Sequence, residues 1–228
     1  MSQPRRPVVL FDAGGTLLEP EYRHLRSVLP PGVRSPEDAD FHRGERAARA
    51  WFLEATGDGG GVPDGAWRGY FGRVLAGAGV RGSEISAALD RLWEINVRNG
   101  LWQRAAAEAP AVLRELLARG FRLAVISNSE GRVAQDLDLA GYSGLFETIT
   151  DSHHAGVEKP DPRIFALTLD RLGATPDQAV YIGDIYGIDI VGARRAGLHA
   201  ILIDRFGLQA GCDCPRIEDL RGLPPLLT

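Results

Sequence analysis

The strongest constraint on the fold is a series of short, unbroken apolar runs separated by helical patterns. The first is Val8-Val9-Leu10-Phe11, which ends at Asp12. Phe121 to Ile126, a short run near 146–150, Ala179 to Ile182 and Ala200 to Ile203 follow it. Helical patterns occupy about 108–119, 131–140, 162–172 and 187–196. Strands that are apolar at consecutive positions are buried on both faces, as in a parallel sheet. Their alternation with helices predicts a three-layer, doubly wound α/β fold.

One stretch departs from this rhythm. From residue 19 to 100 the pattern is helical only. Ser35-Pro36-Glu37-Asp38 supplies an N-cap, a proline at the first helical position and early acids, predicting a helix to about Thr56. Gly57 to Gly61 reads as a glycine-rich linker, and a second helix is expected over 64–77. Ser83 is the expected cap of a third, with Ile85, Ala88, Leu89, Leu92 and Ile95 on one face and Gly100 just past its end. The predicted organisation is an α/β core from residues 1–18 and 101–228, interrupted by a helical insert over 19–100. A chain of 228 residues suits one domain carrying such an insert, and buries roughly 70% of its unfolded surface without a disulfide or structural metal.

Composition narrows the function classes. The charge of −4, from 26 basic and 30 acidic residues, gives no broad basic field for nucleic acid or anionic lipid. No apolar run approaches the ~20 residues of a membrane span. Cys212 and Cys214 are the two cysteines, too few for a disulfide framework, so a reducing cytoplasm is expected. Nothing in the sequence sets an oligomeric state.

In a doubly wound sheet the site lies outside the carboxyl ends of the strands. The residues there are Asp12, then Ser127-Asn128, then Asp184, with Glu158-Lys159-Pro160 in an intervening loop. Acids converging on one sheet edge repel unless a cation separates them. A hard divalent cation such as Mg²⁺, shared between carboxylates and a substrate phosphate, suits that arrangement. A lysine and exposed backbone amides supply the positive charge that a phosphoryl group requires.

These segments resemble the motifs of the haloacid dehalogenase-like hydrolases. Val8-Val9-Leu10-Phe11-Asp12-Ala13-Gly14-Gly15-Thr16-Leu17 is similar to the family's first motif, an apolar strand followed by Asp-x-Asp-Gly-Thr. Val125-Ile126-Ser127-Asn128 resembles the second, Lys159-Pro160 the third, and Gly183-Asp184-Ile185-Tyr186-Gly187-Ile188-Asp189 the fourth. The four occur in the family's order over essentially the whole chain, and the insert corresponds to the family's helical cap. The resemblance implies a hydrolase that transfers the phosphoryl group of a small phosphorylated metabolite to Asp12. Asp12, the Gly14 carbonyl and Asp184 would hold Mg²⁺, with Asp189 either a further ligand, a support, or simply the cap of a nearby helix. Gly15 would lie in the phosphate loop, Ser127 and the Asn128 amide would bind phosphoryl oxygens, and Lys159 would offset charge on the nucleophile. Lys159 is the sole lysine among those 26 basic residues.

The first motif carries one departure. The family's phosphatases usually have a second aspartate two residues after the nucleophile, which protonates the leaving group and activates water; here that residue is Gly14. General acid–base catalysis is worth about 10²–10⁴-fold. Two alternatives to a slow phosphatase therefore stand: a phosphate- or partner-binding protein without turnover, and a metal-independent 2-haloacid dehalogenase. A phosphonate-cleaving site would need a cap lysine, and residues 19–100 contain none. His24, His42 and Glu45 in the insert are other candidate proton donors, with Tyr22 and Arg46 as further polar residues there.

Other patterns read as structure. Gly77 to Gly82 fits G-x-G-x-x-G but follows a helix, so an interhelical turn is expected. His153, His154, Cys212 and Cys214 lack zinc-ligand spacing. Trp51, Trp67, Trp93 and Trp102 are expected to pack a core.

Overall fold

The computed structural model describes residues 7–57, 61, 62 and 64–227. In chain order the elements are β1 (Val8–Phe11), β2 (Leu18–Pro20), α1 (Tyr22–Ser27), α2 (Asp38–Thr56), α3 (Ala66–Gly77) and α4 (Ser83–Asn99). Then come β3 (Trp102–Ala105), α5 (Ala109–Ala118), β4 (Arg122–Ser127), α6 (Val133–Leu139), β5 (Thr148–Asp151), α7 (Ser152–Ala155) and α8 (Pro162–Leu172). The chain closes with β6 (Ala179–Gly183), a π-turn at Tyr186–Ile190, α9 (Val191–Arg195), β7 (His199–Ile203) and β8 (Arg216–Ile217).

Six strands form one sheet in the order β5-β4-β1-β6-β7-β8. β1 is central, in parallel register with β4 (Phe11 opposite Val125) and with β6 (Phe11 opposite Ile182). All four residues of β1 are buried, as their unbroken apolarity requires. Alternation along the strands divides the core. Val8, Leu10, Ala124, Ile126, Tyr181 and Leu202 share a buried cluster with Ile164, Phe165 and Leu169 of α8, Ile190 of the π-turn and Ala193 of α9. On the opposite face Val9, Phe11, Leu123 and Val125 are buried, and α5 packs against β4. This is the doubly wound α/β fold expected. Because the strands are parallel, their C-terminal ends bring Asp12, Ser127 and Asp184 to one edge of the sheet.

The chain falls into two compact units, one running to Glu19 and again from Gln103, the other over Pro20–Gly57 and Val62–Trp102. The second unit is helical, with Leu25, Phe41, Ala48, Phe71, Val74, Leu75, Leu89 and Leu92 in its core. Trp51, Trp67 and Trp102 pack against that core, while Trp93 remains 42% exposed. Within it, α2 and α3 meet backbone to backbone. A Cβ on Gly77 would lie 2.4 Å from the Gly44 Cα, and one on Gly44 would lie 2.6 Å from the Val74 carbonyl oxygen. Glycine at these two places is a steric requirement of the pairing.

Several boundaries differ from expectation. The cap of α2 is Glu37, not Ser35. Glu37 and Asp40 form a reciprocal capping box, placing the start two residues past Pro36. Gly82, with φ 45°, caps α4, so Ser83 is its first helical residue. The Gly77–Gly82 segment is the expected interhelical turn, with positive φ at Gly79 and Gly82. The linker expected at Gly57–Gly61 lies partly outside the described residues. The last predicted helix begins as the π-turn Tyr186–Ile190, because Asp189 is drawn back toward the end of β6. The ribbon formed by β2 and β3 was absent from the sequence expectation, being too short to show a period.

Candidate active site

Lys159 is the hub of the strand-end cluster. Its side chain is 2% exposed, yet its ammonium has three partners. Nζ donates to Asp12 Oδ1 at 2.5 Å, to Asp189 Oδ1 at 2.8 Å and to the Tyr181 hydroxyl oxygen at 2.9 Å. Its backbone is fixed as firmly. The Asn128 side chain donates through Nδ2 to the Lys159 carbonyl at 2.9 Å and accepts from the Lys159 N–H at 2.8 Å. The Lys159 loop is bounded by Gly156, left-handed at the end of α7, and by Asp161, whose carboxylate caps α8.

Asp189 accepts four hydrogen bonds. Oδ1 takes the Lys159 ammonium and the Tyr181 hydroxyl at 2.9 Å, while Oδ2 takes the backbone N–H groups of Asp184 at 3.1 Å and Ile185 at 2.9 Å. This closure explains Gly183, where any Cβ would sit 2.4 Å from the Asp189 carboxylate carbon. Tyr181 is a site residue that the sequence reading missed. Its one signal is a phenol in an otherwise aliphatic strand, three positions before Asp184.

Asp12, Asp184 and Asp189 offer carboxylate oxygens within 4.8 Å of one another, and all three are buried. Against three carboxylates stands the single ammonium of Lys159. Burial raises the Asp12 carboxyl to about 7, opposed by Lys159 and reinforced by Asp189 and Asp184. Burial works to lower the Lys159 ammonium, but Asp12 and Asp189 outweigh it and the ammonium is raised. Burial, then Asp189, raises the Tyr181 phenol well above its ordinary value. The cluster therefore binds its lysine proton tightly and resists a further negative charge on Asp12. A hard divalent cation fits this donor set, being oxygen-only, carboxylate-rich and short of positive charge.

The remaining sequence candidates lie at the same sheet edge. Ser127 ends β4, 5% exposed, opposite Asp151 of β5. Gly14 makes a bridge with Leu18, and Gly15 takes φ 84° while donating its N–H to the Leu18 carbonyl at 2.7 Å. Arg205, beyond β7, grips this turn from behind, donating to the carbonyls of Gly15 at 3.2 Å and Thr16 at 3.0 Å and pairing with Glu108 at 2.7 Å. No family motif marked Arg205. Of the insert's candidate proton donors, Glu45 is buried, His24 is half-buried and His42 is exposed; Tyr22 is buried and Arg46 exposed.

An immobilised carboxylate at Asp12, a fixed cation beside it and a cation-hungry acid cluster can support nucleophilic displacement at an anionic centre. The chain is similar to known proteins to different degrees. The chain is 33% identical over 126 residues to glyceraldehyde 3-phosphate phosphatase of Methanothermobacter thermautotrophicus, covering 51% of this chain and 56% of that protein. It spans about half the length of the curated relatives it matches. It superposes on the crystal structure of an HAD phosphatase from Thermococcus onnurineus with TM-score 0.62 at 24% identity, over 97% of each chain. A 2-haloacid dehalogenase from Pseudomonas syringae superposes with TM-score 0.58, also at 24% identity, over 98% of each chain. The fold thus accommodates both chemistries and does not choose between them. A model of the haloacid dehalogenase-like hydrolases matches residues 7–197. The chain belongs to the haloacid dehalogenase-like hydrolase family.

Proposed function

We propose that the protein is a Mg²⁺-dependent phosphoric monoester hydrolase acting on a small phosphorylated metabolite through a phosphoryl group carried on Asp12. The observation that carries this reading is the charge imbalance of three buried carboxylates, within 4.8 Å of one another, against one lysine. An oxygen-only cluster with more carboxylates than cations favours a metal-assisted reaction over a metal-free dehalogenase. Phosphatase-named relatives support the same reading.

Asp12, Asp184 and the Gly14 carbonyl would hold Mg²⁺, which would supply positive charge to offset that of the acids and the phosphoryl group. Asp189 acts as a support, since each of its oxygens already accepts two hydrogen bonds. An Asp12 carboxylate oxygen attacks phosphorus, the bond from phosphorus to the ester oxygen breaks, and the alkoxide leaves with its electron pair. Lys159 holds Asp12 in place and offsets charge as it develops. The Ser127 hydroxyl and the Asn128 backbone N–H donate to the phosphoryl oxygens. Water then attacks phosphorus, the bond to Asp12 breaks, inorganic phosphate departs and the Asp12 carboxylate is regenerated. Gly14 supplies no proton to the alkoxide and no base to the water, which makes both steps slow. The helical unit, Pro20–Gly57 and Val62–Trp102, corresponds in sequence to the family's cap, the element that would select the metabolite. Two free cysteines accord with a cytoplasmic location.

A second reading, a phosphate-binding protein without turnover, is favoured by Gly14 alone. The test is p-nitrophenyl phosphate hydrolysis with Mg²⁺ or EDTA, in the native protein and in Asp12→Asn. Mg²⁺-dependent turnover that vanishes in the variant supports the proposal. Metal-independent chloride release from a 2-chloro acid would establish dehalogenation, and phosphate binding without either turnover would establish the second reading.

A further inference from the structure

The segment linking β7 to β8 reaches back to the turn that carries Asp184. Gln209 is 8% exposed. Its Nε2 donates to the Asp184 carbonyl at 2.8 Å, and its Oε1 accepts the Tyr186 N–H at 3.0 Å. These two backbone groups flank Ile185, whose extended conformation (φ −116°, ψ 110°) lies between the strand and the π-turn. The carbonyl is buried and the N–H half-buried, and groups so withdrawn from water need partners. One primary amide, with a donor and an acceptor on a single carbon, satisfies both, and the two partners fix which way round it sits.

Gln209 is itself held. Its N–H donates to Asp204 Oδ2 at 3.0 Å, the Leu208 N–H donates to Asp204 Oδ1 at 2.8 Å, and Arg216 donates to Asp204 Oδ2 at 2.9 Å. The exposed side of the same loop is latched separately. The Asp213 carboxylate accepts from the Tyr186 hydroxyl and from Arg194, each at 2.7 Å. The backbone of Asp184 is consequently clamped on both flanks: Asp189 takes its N–H at 3.1 Å, and Gln209 takes its carbonyl. With both flanks fixed, the Cα–Cβ direction from which the Asp184 carboxylate extends is set.

The geometry points to Gln209 as a positioning residue for Asp184, acting through the backbone and touching neither substrate nor cation. This rests on the metal-dependent reading above. Orienting partners of this kind typically contribute 10–100-fold in metal affinity. Gln209→Met keeps length and volume but offers neither hydrogen bond. Gln209→Asn, shorter by one methylene, keeps an amide that cannot span both partners, and serves if the methionine variant folds poorly. Asp213→Asn perturbs the loop's exposed latch alone.

Mn²⁺ alone is titrated against the full chain, with the free ion read by electron paramagnetic resonance, and melting temperature is followed in parallel. The expected result is a Kd for Mn²⁺ raised at least tenfold in Gln209→Met and Gln209→Asn, unchanged in Asp213→Asn, with cooperative melting retained. A Kd within twofold of the native value in both Gln209 variants would overturn the positioning role while leaving the metal-dependent reading intact. Failure of the native protein to bind Mn²⁺ would overturn that reading and this inference together.

Discussion

Lys159 and Asp12 stand 147 positions apart in sequence, yet their side chains meet at 2.5 Å inside the protein, with the lysine 2% exposed. In a chain whose other 25 basic residues are arginine, the buried cation is the compact one. A tetrahedral ammonium can address Asp12, Asp189 and Tyr181 from one point, whereas a planar guanidinium would spread its donors over a wider fork. Lys159→Arg should therefore lower kcat/KM at least tenfold. Lys159→Met, which leaves buried acids without their cation, should lower stability by about 3–5 kcal/mol. Steady-state kinetics and denaturant unfolding measure the two. Near-native activity in Lys159→Arg would show that donor geometry at this position is irrelevant.

Tyr181→Phe removes the phenol oxygen that touches both Lys159 and Asp189 while keeping the ring packed against Phe165 at 5.0 Å between centroids. Each acceptor and donor in that triangle keeps at least one other partner, so the stability loss should be about 1 kcal/mol. The lysine is less constrained, and kcat should fall several-fold with KM nearly unchanged. A rise in KM at constant kcat would place the phenol in ground-state substrate binding instead.

Stability should respond to pH through Asp12. Its carboxyl is raised from 3.8 to about 7, so between those values the folded chain holds a proton that the unfolded chain has released. The unfolded state then binds fewer protons, and this group's contribution to stability falls as pH rises through the window. In EDTA, Asp12→Asn should flatten the decline of Tm with pH relative to the native protein. Asp136, raised to about 6 by burial, is common to both and does not affect the comparison. Mg²⁺ favours the ionised carboxylate, so its stabilising effect should be larger at pH 8 than at pH 5. Parallel Tm profiles in the two proteins would contradict the Asp12 shift.

Gly14 defines the expected kinetics. With no acid there, expulsion of an alkoxide should be slow and that of an aryloxide fast, giving a steep dependence on leaving-group pKa. The positive φ in this turn falls at Gly15 (84°), while Gly14 forms a strand-like bridge with Leu18, a backbone that an aspartate can adopt. Gly14→Asp should raise turnover of alkyl phosphates by at least tenfold. A flat leaving-group dependence and no gain in the variant would move the proton donor elsewhere. Alanine variants of His24, His42 and Glu45 would then locate it.

The sheet was legible in the sequence because a strand buried on both faces leaves an unbroken apolar run, as Val8–Phe11 and Ala179–Ile182 do. Helix α8, expected over about 162–172, runs Pro162–Leu172, and Asp161, Pro162 and Gly173 mark its ends by cap chemistry. The start of α2 was not, because Ser35 and Glu37 are both plausible caps and only the reciprocal bond with Asp40 decides between them. In the site, Asp12, Asp184 and Lys159 were legible as charged residues at strand ends and in one loop, and Asp189 only through the resemblance of its segment to the family's fourth motif. Tyr181, Arg205 and Gln209 were not, for the contacts that bring them to the site, with Lys159, Gly15 and Asp184 respectively, span 22, 190 and 25 positions of chain that no local pattern encodes.

The central claim is that Asp12 accepts a phosphoryl group in a Mg²⁺-dependent step. Rapid-quench reaction with p-nitrophenyl phosphate, followed by mass spectrometry of the peptide bearing Asp12, tests it directly. The account predicts a burst of nitrophenol that requires Mg²⁺, a phosphoryl adduct on Asp12 accumulating because Gly14 supplies no base for its hydrolysis, and loss of both in Asp12→Asn. Turnover that persists in EDTA, or Mg²⁺-dependent turnover that survives in Asp12→Asn, would contradict it.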